Sequence, residues 1–215
     1  MELFEAYYAK ADKEKAADMA AYLKNQFAFL GIQKPQRAEL SREILKQKKK
    51  DKTADWDFIF LMFDQPEREF QYLAVDYLIA VKGLLTADDL IHVEKLIVTK
   101  SWWDTVDLIA STVVGDICAR DPETKETVVA GWMQSNNLWL RRVSILFQLK
   151  YKDKTDTAFL SRAIQSNCGT KEFFLNKAIG WALREYSKTN PEWVRDFLAE
   201  NKLSTLSVKE ASKYI

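Results

Sequence analysis

One histidine, His92, and two cysteines, Cys118 and Cys168, are all that a chain of 215 residues offers in thiol or imidazole chemistry. The cysteines lie far apart, so neither a CxxC zinc site nor a Cys/His nucleophile pair can be built at a recognised spacing, and no metal is expected. Both thiols are expected to be buried and reduced. Glycine and proline are scarce as well, six and four in number. The stretches between them are rich in Ala, Leu, Lys, Glu and Gln, which favours helices over strands. No apolar run approaches the length that crosses a bilayer, and the opening MELFEAYYAKADKEK has no long apolar core. A cytoplasmic protein without a membrane partner is expected.

What the chain does have is apolar mass: 47% of its residues are hydrophobic, ample for a continuous core. The class expected is all-α, folded as a single domain over residues 1–215. The net charge of +1 conceals a contrast along the sequence. Between Asn136 and Asn190, ten Lys and Arg stand against four acids, so that segment carries +6 and the remainder −5. A basic stretch on an otherwise acidic protein points to a polyanion on one face, with a solvated helix surface as the alternative.

Four segments superpose on one another: Phe70 to Val81, Trp103 to Val114, Leu140 to Tyr151 and Asn176 to Ser187. In that register Leu73, Val106, Val143 and Ile179 share one column, and Ala74, Asp107, Ser144 and Gly180 share the next. The offsets of 33, 37 and 36 residues fit a helix-turn-helix unit stacked on its neighbours, as in HEAT-like solenoids. Boundary signals frame the partner helices. Thr86-Ala-Asp-Asp, Asp121-Pro122-Glu and Asn190-Pro191-Glu open helices, and Pro35 and Pro66 fall at first-turn positions. Ser101-Trp-Trp-Asp104 has capping-box spacing, which starts a helix holding Trp103. Lys46 to Lys52 is read as a solvated helix end.

The register is most informative where it is broken. Ala74, Ser144 and Gly180 are small, whereas the matching position in the second segment is the carboxylate Asp107. A structural Asp that accepts hydrogen bonds from a neighbouring helix is one reading, and Asp76 and Asp116 are candidates for that role. Trp103 lies four residues before Asp107, which places indole and carboxylate on one helix face; Trp102 points about 100° away. Trp181 stands beside Gly180. Two aromatic faces flanking an anion make a receptor for a cation. A purine alkylated at N3 or N7 is such a cation, and its departing sugar becomes oxocarbenium-like, the charge that carboxylates stabilise in glycoside hydrolysis.

Longer stretches carry a resemblance: AYLKNQFAFLGIQKPQR from Ala21, PEREFQ from Pro66, LIVTKSWWDTVD from Leu96, NLWLRRVSILFQLKYK from Asn137 and KEFFLNKAIGWALREYSKTNP from Lys171. They span nearly the whole chain, which resembles the AlkD-type bacterial DNA alkylation repair glycosylases. The resemblance implies a HEAT-like α-α superhelix with a concave DNA-binding face. It also implies monofunctional, cofactor-free hydrolysis of the N-glycosidic bond of cationic 3-alkyl and 7-alkyl purines in duplex DNA, without base flipping. The family's catalytic Trp, Asp and Trp fall on Trp103, Asp107 and Trp181. Its DNA contacts fall on Arg142, Lys150 and Arg184, with Tyr22 and Gln33 as weaker ones. A monomer without an obligate protein partner is expected, associated with the nucleoid when bound to DNA. A related branch keeps the fold without excising bases, so a noncatalytic DNA-binding protein for distorted or branched DNA stays open, as does a protein-binding scaffold.

Overall fold

The structure, a computed structural model, describes residues 2–215. It is all-α, the outcome the scarcity of Gly and Pro favours; among the described residues the only extended pairing is an isolated bridge between Ala28 and Glu67. The helices gather into two compact units that divide between Leu85 and Thr86.

The first unit contains α1 (Glu2–Tyr8), α2 (Lys13–Tyr22), α3 (Lys34–Lys48), α4 (Trp56–Asp64) and α5 (Arg68–Ala80). Apolar faces at helical spacing bury Ile59, Met62 and Phe63 from α4 with Phe70, Leu73 and Leu78 from α5. Tyr7 stacks on Phe70 at 5.0 Å, and its hydroxyl pairs with that of Ser41 at 2.6 Å, so burying the ring leaves no orphaned polar atom. The Glu69 carboxylate is fully buried yet satisfied: it accepts from the backbone N–H groups of Leu30, Gly31 and Ile32 at 2.8–3.1 Å. Gly31 permits that turn, because its φ of +87° is strained for any L side chain and a Cβ there would sit 2.1 Å from the Asp12 carbonyl oxygen. Asp76 accepts from Arg37 of α3 at 3.2–3.3 Å, the structural role foreseen for it.

The second unit contains α6 (Leu90–Val98), α7 (Trp103–Leu108), α8 (Gly115–Arg120), α9 (Ala130–Trp132), α10 (Leu138–Leu146), α11 (Thr157–Gln165), α12 (Phe173–Ser187), α13 (Pro191–Glu200) and α14 (Thr205–Ala211). A π-helical stretch, Ile109–Val114, joins α7 to α8, and a second one, Lys125–Val129, precedes α9. The repeat register survives in burial: Leu73, Val106 and Val143 are fully inaccessible and Ile179 nearly so, with Ala74 and Ser144 equally enclosed in the adjoining column. Asn190 caps α13 by accepting from the Trp193 N–H at 3.0 Å, with Pro191 in the first turn.

Several local expectations are corrected. Ser101 does not cap α7: its hydroxyl donates at 2.6 Å to the carbonyl of Ile97, satisfying the end of α6 instead, and α7 begins at Trp103. Pro66 precedes the Glu67 cap of α5 and lies outside its first turn, whereas Pro35 sits within the first turn of α3. The third repeat segment is helical only to Leu146, after which the chain turns through Lys150. Both cysteines are free, but only Cys118 is buried, its thiol pushed up to about 12 by desolvation; Cys168 is exposed on the turn before Gly169.

Candidate active site

Asp107 occupies the last turn of α7, and the helical period sets Trp103 one turn before it on the same face. Both line a cavity of about 620 Å³ within the second unit, which Trp181 of α12 also borders. That size falls in the range of small-molecule and nucleoside-sized sites. The π-helical stretch begins two residues after Asp107, and Ser111 in it donates its hydroxyl to the Asp107 carbonyl at 2.9 Å. Single π turns inside α-helices are uncommon and recur at functional sites.

The carboxylate of Asp107 is held rigidly. Arg142 of α10 approaches it as a fork, Nε donating to Oδ1 at 2.7 Å and Nη2 to Oδ2 at 2.8 Å. Arg142 also donates Nη1 to the Phe174 carbonyl, so its guanidinium is committed on three sides. The Asp107 side chain is only 11% exposed and that of Arg142 5%. Burial pushes the Asp107 carboxyl above the usual aspartate value, and the Arg142 guanidinium pulls it back without reversing the shift. Each oxygen accepts one hydrogen bond from Arg142 and has a further lone pair.

Behind this pair stands an aromatic wall. Trp102, which the helical period turns away from Trp103, packs on Trp139 at 5.7 Å and on Phe174 edge-on at 5.0 Å, while Trp139 meets Phe174 at 5.1 Å. These rings fix the backbone of Phe174, whose carbonyl anchors Arg142. Phe173 beside it is exposed and lines the cavity.

A carboxylate from another helix borders the same cavity. Glu210 of α14 accepts from Lys177 at 2.8 Å, from Arg184 at 2.8 Å and from Lys213 at 3.0–3.1 Å, the last straddling both oxygens. Hydrogen bonds from the two lysines, strengthened by their charge, hold its carboxyl down at about 2. Gly180 places it there. A Cβ on that residue would meet the Glu210 Cβ at 2.5 Å and the Ser207 carbonyl oxygen at 2.9 Å, so only glycine lets α14 lie this close to α12. Ser207 completes the seam by donating its hydroxyl to the Asn176 carbonyl at 2.8 Å.

The sequence model of the DNA alkylation repair enzyme family matches residues 4–215. The chain belongs to the DNA alkylation repair enzyme family. Among solved structures, a protein described as a predicted DNA alkylation repair enzyme from Enterococcus faecalis is 37% identical and superposes with a TM-score of 0.91, over 96% of this chain and 97% of that one. AlkD2 from Streptococcus mutans is 20% identical with a TM-score of 0.60, over 83% and 97% of the two chains. The smu.31 protein from Streptococcus mutans UA159 is 22% identical, also at 0.60, over 83% and 95%. At such identities the last two share the fold. No protein of curated function matches.

For this family member, the second unit brings together Trp103, Asp107, Trp181, Arg142 and Arg184 around one cavity. Lys150 lies outside that lining and is exposed after α10. Tyr22 and Gln33 belong to the first unit and are exposed, Gln33 as the residue that precedes α3. Arg142 is enclosed against Asp107 and Phe174. Sequence reasoning missed Phe173, Phe174, Lys177, Glu210 and Lys213. Gly180 was the one available signal for Glu210, since a glycine inside a helix marks a close approach.

Proposed function

We propose that the protein is a monofunctional DNA glycosylase that hydrolyses the N-glycosidic bond of cationic N3- and N7-alkylpurines in duplex DNA, without extruding the base. The observation that carries the reading is the cavity in which a fixed, nearly enclosed carboxylate, Asp107, is bordered by the indoles of Trp103 and Trp181. Residues 1–215 act as one glycosylase domain, monomeric and cytoplasmic, and need no cofactor for this chemistry.

An alkylated purine is already a good leaving group because it carries positive charge. As the bond from C1′ to the purine nitrogen breaks, the electron pair goes to the base and neutralises it, leaving positive charge on the sugar. Asp107 lies where it can stabilise that charge, and the free lone pair on one of its oxygens can orient a water. The water oxygen bonds to C1′ and its proton leaves to Asp107 or to solvent, giving free base and an abasic site. Trp103 and Trp181 border the sugar with polarisable faces, each good cation-π contact contributing about 0.5 to 2 kcal/mol. Arg142 keeps the carboxylate ionised and aimed. Lys150 and Arg184 contact the DNA backbone, with Tyr22 and Gln33 as weaker contacts.

The test is release of 7-methylguanine or 3-methyladenine from N-methylated duplex DNA under single-turnover conditions. Wild type releases free base, whereas Asp107→Asn binds the duplex and loses most of the rate. A wild-type protein that binds damaged DNA but never frees a base is a noncatalytic DNA-binding member of the family, and the enzyme reading fails.

A further inference from the structure

The cluster around Glu210 has no part in holding Asp107, yet it shares the cavity with it. We propose that Lys177, Arg184 and Lys213 form a clamp for one backbone phosphodiester of the DNA strand, and that Glu210 is the positioning residue that preorganises them. The proposal rests on the DNA reading above. It adds Lys177, Lys213 and Glu210 to the residues that meet substrate or set its place.

Three cations against one carboxylate leave an excess of two positive charges on this side of the cavity. Arg142 and Asp107, which border the same cavity, cancel. The cavity therefore favours an anion beside Glu210. The two lysines keep 41% and 46% of their side chains exposed, and Arg184 24%, so each has donors left for an incoming oxygen. Long cationic side chains otherwise lose much rotamer freedom on binding; tethering all three to one carboxylate removes part of that loss beforehand. The tether is built into the helix packing, since Gly180 admits α14 and Ser207 fastens it.

The experiment measures affinity for a duplex holding a tetrahydrofuran abasic analogue, by fluorescence anisotropy over a range of salt, for wild type, Lys177→Ala, Lys213→Ala and Glu210→Gln. This ligand needs no base release. Each lysine variant should weaken binding several-fold at low salt and flatten the dependence of log K on log salt by less than one, because three cations share one phosphodiester, and Glu210→Gln should shift that slope by a comparable fraction while slowing base release several-fold from methylated duplex. Affinity and slope both unchanged in the lysine variants would overturn the clamp whether or not Glu210→Gln folds. Inorganic phosphate at constant ionic strength should compete with the duplex for wild type and less so for the lysine variants; equal competition in all of them would place the anion elsewhere and overturn the clamp too. A wild type that binds this duplex steeply with salt but never releases base defeats the glycosylase reading alone.

Discussion

Asp107 and Glu210 border one cavity with almost equal accessible area, 11% and 10% of their side chains, and yet their carboxyls shift in opposite directions. Asp107 is covered by packed protein and has a single cation, so desolvation prevails and its carboxyl rises. Glu210 accepts from Lys177 and Lys213, whose hydrogen bonds outweigh its desolvation, and its carboxyl falls to about 2. What encloses a carboxylate matters more than how much of it is enclosed. The deep one is suited to meeting a charge that develops in a dry site; the shallow one is suited to arranging cations for an anion that arrives from water.

Breaking the deep pair should have the largest effect. Arg142→Ala leaves the Asp107 carboxylate buried without its partner, and chemical denaturation should show a loss of about 3–5 kcal/mol. Arg142→Lys keeps the charge but not the two-pronged geometry, and should recover only part of it. A loss below 1 kcal/mol would mean that Asp107 is better hydrated than its packing suggests.

Gly180→Ala reaches the shallow centre through the backbone. The added methyl collides with Glu210 and Ser207, so α14 must shift, at a cost of about 1–3 kcal/mol read from thermal or chemical unfolding. The same variant should weaken the salt dependence of DNA binding and spare the Arg142 pair.

The smallest effect is on pH dependence, and its sign separates the two groups. Glu210 has a folded value below its unfolded one, so its stabilisation is complete above about pH 4.5 and disappears as pH falls towards 2; Glu210→Gln should flatten that part of an acid titration. Asp107 is shifted the other way, and its ionised form is the costly one in the fold. Its contribution to stability is greatest at low pH and declines as pH rises through its elevated value, while base release should be lost on the acid side at a pH above 3.8, the ordinary aspartate value.

How far these centres can be read from sequence follows from what fixes them. The Trp103–Asp107 relation is local, set by one helical turn, and the repeat register marked Asp107 as a charge in a column of small residues. Its clamp was invisible, because Arg142 reaches Asp107 from another helix and such directions depend on how α7 and α10 pack. Glu210 lies beyond the last repeat segment, in no column that could make it anomalous. The helix ends show the same division: the Asn190 cap was legible because it is self-contained, whereas the Ser101 hydroxyl was drawn back to an orphaned carbonyl of α6 that spacing alone does not reveal.

The most direct measurement places Asp107→Asn and Glu210→Gln side by side on one methylated duplex, with the dissociation constant and the single-turnover rate of base release taken on each. The account predicts that Asp107→Asn loses on the order of 10²–10³ in rate with binding retained, while Glu210→Gln changes the salt dependence of binding and moves the rate only several-fold. Equal losses of rate in both variants, or a fully active Asp107→Asn, would contradict the division of work between the two carboxylates.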